Sequence, residues 1–324
     1  MGSGVPSGLS IPNMVLYVSI VLAWLPLVSA VSPLNLDQFC REPSHHPHPQ
    51  LVSSVLDGIR HGFKLGFSHH QPLRSARRNK PSAHAHPAVI DEYLANEVSL
   101  GRVAGPFASP PFPFLHVSSF RVMPKKGQPG KWRLIMDLSS PAGASVNDSI
   151  NPDEFTLQYI SVNQIIRMVS QFGRGALMAK FDVEAAYRNI AVHPSDRYLL
   201  GMRWRNQFYI DLALPFGLHS AAHIFNSLAE IVKWILVNNY QIPHLLHYLD
   251  DSITAGPPDS PQCALNLRTA LRVCESLGLP LHPGKYMGPS AVMTVLGIEL
   301  DSLAQVARLP EDKLLALRDM VHSW

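Results

Sequence analysis

"PHLLHYLDDSITAG", residues 243–256, sets two aspartates side by side inside an apolar run. Leu245, Leu246, Tyr248 and Leu249 precede the pair, Ile253 and Thr254 follow it, and Ala255-Gly256-Pro257-Pro258 closes the run. An apolar run broken by Asp-Asp and then resumed reads as two strands joined by a tight turn, with the carboxylates at its tip. Aspartate is a common turn residue, so the pair is either a solvated hairpin turn or a functional doublet. Its surroundings have to decide.

Working outward, Ala176 to Asp182, "ALMAKFD", is an apolar strand that also ends on an acid. Leu218 to Asn239 carries Ala221, Phe225, Leu228, Val232 and Ile235 at three- and four-residue steps, which predicts a long amphipathic helix. A further helix opens at Asp259-Ser260-Pro261 and stops at Gly278. Val292 to Leu300 reads as a last strand, and a final helix begins at Pro310. The order strand, helix, strand, strand, helix, strand is the split β-α-β arrangement of ferredoxin-like sheets. The fold class is therefore α+β, an antiparallel sheet with helices on one face. Upstream, Val162 to Phe172 forms a helix with Ile165, Ile166 and Val169 on one face. His116–Val122 and Trp132–Leu138 form a hairpin with a basic tip, and Leu199–Arg205 and Phe208–Leu214 form another around Asn206.

The 324 residues suffice for two or three compact units with a large core. The 28 prolines crowd the first third, and Leu36 to about Pro113 reads as a connecting region with one helical patch at Val89–Leu100. The net charge of +3 matters less than its distribution. One acid-free stretch, between Asp57 and Asp91, carries Arg60, Lys64, Arg74, Arg77, Arg78 and Lys80. Another, Val98 to Met136, carries Arg102, Arg121, Lys125, Lys126, Lys131 and Arg133. Such stretches suit a polyanion, the alternative being a solvated basic face. Cys40, Cys263 and Cys274 exclude a disulfide framework and lack zinc-ligand spacing, so they read as thiols in a reducing compartment. His45-His46-Pro47-His48 and His84-Ala85-His86 sit among prolines and read as polar loops rather than a built metal site. Met14 to Val31 is free of charge and ends Val28-Ser29-Ala30, like a signal peptide or anchor. Pro26 interrupts it and no basic residue precedes it, so an incidental apolar leader is the competing reading.

In a split β-α-β sheet the strand ending at Asp182 and the hairpin carrying Asp250 and Asp251 can be neighbours, which brings three carboxylates to one sheet edge. Three clustered acids repel, leaving one partly protonated and the site destabilised unless a cation joins them. Magnesium favours such oxygen ligands together with substrate phosphates. Two ions about 3.5–4 Å apart activate an attacking hydroxyl and stabilise the leaving oxygen of an in-line phosphoryl displacement. Lys126 and Arg133 of the basic hairpin would project toward an incoming triphosphate, Arg as a fork and Lys as a point charge.

"KWRLIMDLS" (131–139), "FDVEAAY" (181–187), "LPFGLHSAAHIF" (214–225), "YLDD" (248–251), "GLPLHPGKYMGPS" (278–290) and "VLGIEL" (295–300) occur in an order that resembles reverse transcriptases. Through "ASPPFPFLHVSSF", "GASVND", "GPPDSP" and "ARLPEDKL" the chain looks most like the polymerases of DIRS-like, tyrosine-recombinase-type retrotransposons. The resemblance covers residue 101 to the end. It implies an RNA-directed DNA polymerase, a nucleotidyltransferase that uses two magnesium ions, or manganese, to add deoxynucleoside triphosphates to a primer on an RNA or DNA template. Asp182, Asp250 and Asp251 match the metal-binding triad, with Val183 offering a backbone carbonyl to the metal. Tyr187 matches the aromatic that packs under the sugar and excludes a 2′-hydroxyl, the bland alternative being a core tyrosine. Lys126 and Arg133 match triphosphate contacts, and Phe216 and Gly217 the segment beside the nascent base pair. Lys285 matches a lysine that protonates departing pyrophosphate, or is a surface lysine. Leu296 and Gly297 match the strand pair supporting the primer end.

Composition marks an apolar leader (1–35) and a Pro/His-rich linker (36–100); the resemblance implies a right-hand layout after them, with fingers (101–175), a palm with inserted finger elements (176–300) and the start of a thumb (301–324). Ala222-His223, Ser252 and Val295 depart from the usual pattern without removing a metal ligand. With the thumb cut short at Trp324 and no ribonuclease H or recombinase segment, the expectation is a fragment that works with those other retroelement products. The alternatives are a truncated, inactive remnant that at most binds nucleic acid, and a secreted or anchored product. A nucleic-acid role favours the cytoplasm or nucleus.

Overall fold

The computed structural model describes residues 30–68, 78–125, 128 and 130–322. Lys126, Arg74, Arg77 and the leader through residue 29 lie outside the described residues. In chain order the helices and strands are α1 (Leu36–Arg41), α2 (Pro49–His61), α3 (Pro81–Ala85), α4 (Pro87–Ser99), β1 (Val103–Phe107), β2 (Val117–Pro124), β3 (Trp132–Asp137), α5 (Val162–Ser170) and β4 (Leu177–Asp182). They continue with β5 (Gly201–Trp204), β6 (Gln207–Asp211), α6 (Ala221–Asn238), β7 (Leu245–Tyr248), β8 (Asp251–Gly256), α7 (Gln262–Ser276), β9 (Met287–Ser290), β10 (Val292–Val295), β11 (Ile298–Asp301), β12 (Val306–Arg308) and α8 (Glu311–His322).

The chain forms two compact units. The first gathers the described parts of Met1–Ser32, His61–Glu154 and Ile190–Ala221; the second gathers Pro33–Arg60, Phe155–Asn189 and Ala222–Trp324. The first unit holds a five-stranded sheet in the order β1-β6-β5-β2-β3. Its β2–β3 hairpin runs in register from Ser119 opposite Asp137 to Pro124 opposite Trp132. The β5–β6 hairpin turns at Arg205-Asn206, both with positive φ (47° and 62°), as two-residue hairpin turns require.

The second unit carries the sheet that the sequence pattern predicts. Strands β7-β8-β4-β9 pair antiparallel throughout, so β4, α6, β7, β8, α7 and β9 make a ferredoxin-like βαββαβ unit. Residues alternate across it. Phe181, Leu245, His247 and Ser252 share one cavity wall with Phe225, Leu228 and Val232 of α6 and Cys274 of α7, which puts those two helices on that face. On the other face Met178, Ile253 and Ala255 pack against Ile165, Met168 and Val169 of α5 and against Met293, Val295 and Leu300. Helices therefore touch both faces rather than one. Each buried aliphatic or aromatic side chain on these helices is worth about 1.5–3 kcal/mol. Helix α5 starts where expected because Ser161 and Gln164 form a reciprocal capping box.

Three expectations need correction. The fourth strand of the sheet is β9, "MGPS", whose Gly-Pro content reads as loop; Pro is tolerated there because the strand is at the edge. Val292–Leu300 is not one strand but the hairpin β10–β11, which with β12 makes a separate sheet. It reverses at Leu296-Gly297, at φ 48° and 79°. The Pro/His-rich stretch from residue 36 is more than a connector. It forms α1 to α4 and buries Phe39 and Val55 in the second unit and Leu65, Ile90 and Leu94 in the first. Likewise residues 155–175 cluster with β4, and Ile190–Ala221 with the upstream strands.

Candidate active site

Asp182 is the last residue of β4 and Asp251 the first of β8, and the two are direct cross-strand partners. Residues opposite one another in an antiparallel pair project from the same face, so both carboxylates leave the sheet on one side. Tyr248, opposite Asp251 on β7, shares that face. The turn between β7 and β8 is therefore Leu249-Asp250, so Asp250 sits in the turn while Asp251 already belongs to the strand. Leu249 holds φ 52°, a conformation that costs a non-glycine residue on the order of 1 kcal/mol or more. The turn is tied down from beside β4: the Val183 N–H donates to the Asp250 carbonyl at 3.1 Å. On the hairpin's other face, buried His247 donates from Nε2 to Glu230 Oε1 of α6 at 3.0 Å, which holds Glu230 below the usual carboxylate range.

The loop after α7 lies along the end of β4. Glu184 N–H donates to the Pro280 carbonyl at 2.8 Å, and His282 N–H to the Asp182 carbonyl at 3.1 Å. This laying-down carries Lys285 onto Asp182, where Nζ lies 3.0 Å from both carboxylate oxygens. Lys285 is thus a partner of the acidic edge, not a free surface lysine. Burial pushes the Asp250 carboxyl up, and the Asp182 charge adds to the shift. Asp251, although its outer edge is open to solvent, is pushed up to about 6 by burial first and by the Asp250 and Asp182 charges second. Tyr187 is pushed up to about 12 by burial, then by Asp250, and its ring stands edge-on to Phe225 at 5.8 Å.

Among the described residues, no group of three or more His, Cys, Asp or Glu side chains lies close enough to hold a metal ion. Of the expected ligands Asp182 and Asp251 share one face, Asp250 sits in the adjoining turn, and Asp182 is engaged by Lys285. The donors nonetheless suit a hard divalent cation. They are carboxylate oxygens, those of Asp250 and Asp251 held back from ionising by burial and then by neighbouring acids, and a cation, the Lys285 ammonium, already contacts both oxygens of Asp182.

Other anticipated residues lie elsewhere. Leu296 and Gly297 form the β10–β11 turn in the second unit, and Leu296 lines a cavity of about 30 Å³ with Tyr248, Asp251 and Lys180. Arg133 is exposed on β3 in the first unit, as are Phe216, at 52%, and Gly217 in the loop before α6. Sequence reading passed over two neighbours of the acidic edge. Lys180 stands two residues before Asp182 on the same face and donates from Nζ to the Thr294 carbonyl at 2.8 Å; the two-residue period of β4 was the signal for it. Tyr159 stacks on Tyr248 at 4.9 Å, and nothing periodic in its segment announces it.

The fold is that of a retroviral polymerase domain. A foamy viral protease-reverse transcriptase solved with an RNA/DNA hybrid matches 96% of this chain at a TM-score of 0.58 and 14% identity, and the same protein with double-stranded DNA matches 88% at 0.56 and 14%. The chain belongs to the reverse transcriptase (RNA-dependent DNA polymerase) family, which residues 123–300, more than half its length, match. Curated relatives include Polyprotein P3 of Commelina yellow mottle virus, 25% identical over 61% of this chain, and the retrovirus-related Pol polyprotein from transposon 412 of Drosophila melanogaster, 26% identical over 60%. The chain spans 10% and 15% of those polyproteins, and 38% and 58% of the two solved chains. Among the described residues no helix is long and apolar enough to cross a membrane.

Proposed function

We propose that this chain is the RNA-directed DNA polymerase domain of a retrotransposon, adding deoxynucleoside triphosphates to a primer 3′-hydroxyl on an RNA or DNA template. The observation that carries the reading is the register of Asp182 against Asp251, with Asp250 in the intervening turn bonded through its carbonyl to Val183. Asp182, Asp250, Asp251 and the Val183 carbonyl would hold two magnesium ions, which when bound lower the pKa of the attacking hydroxyl and offset charge on the transferring phosphoryl group.

The chain's own residues supply the rest. The acidic doublet and Asp182 set the orientation of the reacting phosphate on one side of the sheet. Lys285 keeps a proton at Nζ beside Asp182 and delivers it to the departing pyrophosphate. Tyr187, half-buried and edge-on to Phe225, walls the sugar and rejects a 2′-hydroxyl. Lys126 and Arg133 take the triphosphate, Phe216 and Gly217 meet the nascent base pair, and the Leu296-Gly297 turn supports the primer end. In this reading the first unit corresponds to fingers, the second to the palm, and residues 301–324 to the start of a thumb. The motifs quoted above favour a DIRS-like element working with ribonuclease H and recombinase products, inside the cell.

The test is primer extension with oligo-dT on a poly-rA template. Incorporation that is abolished in Asp250→Asn supports the enzyme. Retention of primer–template on a filter by a chain that incorporates nothing supports an inactive remnant.

A further inference from the structure

"GASVND", residues 143–148, carries part of the family resemblance but no role. In the first unit its asparagine is almost fully buried, at 2% exposure, and nearly saturated with hydrogen bonds. Asn147 Nδ2 donates to Ser139 Oγ at 2.9 Å and to the Gly217 carbonyl at 2.8 Å, while Oδ1 accepts from the His219 N–H at 2.9 Å. The amide orientation is fixed by these partners, since a flip would set the NH₂ against an N–H and the oxygen against a carbonyl. The strut is itself anchored. Asn147 N–H donates to the Leu138 carbonyl at 3.0 Å. Ser145 donates to Asp148 Oδ2 from its N–H (2.9 Å) and its hydroxyl (2.7 Å), bonds that hold the Asp148 carboxyl below its usual range.

Two of the three bonds end on the backbone of the loop 217–219. Gly217 has φ 90°, and among the described residues a Cβ there would meet just the Met136 carbonyl oxygen, at an ordinary contact distance of 3.8 Å. Leu218 is buried while Phe216 and Gly217 are exposed. Asn147 thus holds the loop at Gly217 and His219 while Phe216 and Gly217 stay exposed.

We propose that Asn147 is a positioning residue that holds the Phe216–Gly217 backbone as the surface against which an incoming nucleotide, paired with its template base, is seated. The inference rests on the polymerase reading. Asn147 touches no substrate; it acts through Gly217 and His219. Asn147→Asp keeps the size and the bond from His219 but sets a carboxylate oxygen against the Gly217 carbonyl, which can only accept. Ser139→Ala removes the third bond, which does not reach the loop.

The experiment is single-nucleotide incorporation on a primed template, with KM for the nucleotide separated from kcat. Asn147→Asp raises the nucleotide KM about tenfold or more, the scale of one broken buried hydrogen bond, while kcat changes far less. Ser139→Ala stays close to wild type, and Asn147→Asp combined with Gly217→Ala is no worse than Gly217→Ala alone. Should Asn147→Asp fail to fold, Asn147→Ser is read in the same way. A wild-type chain that incorporates nothing overturns the polymerase reading, and the inference with it. An active wild type with an unchanged nucleotide KM in the variant overturns the inference alone.

Discussion

Replacing Lys285 by methionine keeps most of the aliphatic stem and removes the ammonium that sits 3.0 Å from both oxygens of Asp182. A unit pair about 4 Å apart is worth about 4 kcal/mol at the effective dielectric near a protein surface. The Lys285 side chain is 54% exposed, and solvent screening brings the net value down to about 1–2 kcal/mol. Asp182 is itself buried and stays beside two other acids, so its charge does not simply return to water. In EDTA, Lys285→Met should therefore melt about 2–6 °C below wild type. Millimolar magnesium should narrow that gap, because a divalent ion offsets the same carboxylates. Calorimetric or circular-dichroism melts of wild type, Lys285→Met, Asp182→Asn and the double variant close a thermodynamic cycle with a coupling of about 1 kcal/mol or more. Full additivity, or a Lys285→Met melt in EDTA that overlays wild type, would show the ammonium to be solvated rather than paired and would refute the reasoning.

Asp251 gives a pH signature. Its folded pKa of about 6 lies above the ordinary carboxylate value of about 3.9, so its ionised form opposes folding. The penalty is absent below about pH 4 and grows as pH rises through 6. Discounted for the exposed edge of the residue, the stability of wild type relative to Asp251→Asn should fall by about 1 kcal/mol between pH 4 and pH 7 in EDTA; a flat difference counts against the shift. At Gly288, φ is 103° and an added Cβ would meet the Met178 carbonyl oxygen at 2.4 Å and Ala179 Cα at 2.8 Å, both backbone. Gly288→Ala should cost about 2 kcal/mol or more in urea denaturation and speed amide exchange along β9; a cost under about 0.5 kcal/mol sinks that account.

The sheet was legible where chemistry and periodicity agreed. Strand β4 and the hairpin around the doublet are apolar runs that end or pause on acids, so both strands and the meeting of Asp182 with Asp251 follow from the pattern. Strand β9 was not legible because "MGPS" has the composition of a turn, and its strand character comes from pairing with β4. Leu296 was hidden for the opposite reason: an apolar residue at φ 48° inside an apolar run leaves no mark of a reversal. The helices before residue 100 were obscured by prolines, three of which stand at helix starts, Pro49, Pro81 and Pro87, where proline is at home. At the site, the pairing of Asp182 with Lys285, 103 residues apart in sequence, depends on a loop laid down by backbone bonds, which no local pattern encodes.

Strand β4 is complete once residue 182 has been made, yet both of its neighbours come much later, with residues 251–256 and 287–290. On the ribosome this apolar strand therefore keeps both edges open until residues 251–256 are made, and one edge open until residues 287–290 follow. During that interval the growing polypeptide has every reason to recruit a chaperone, and the last residues of the sheet, rather than its acidic heart, decide when that vulnerability ends.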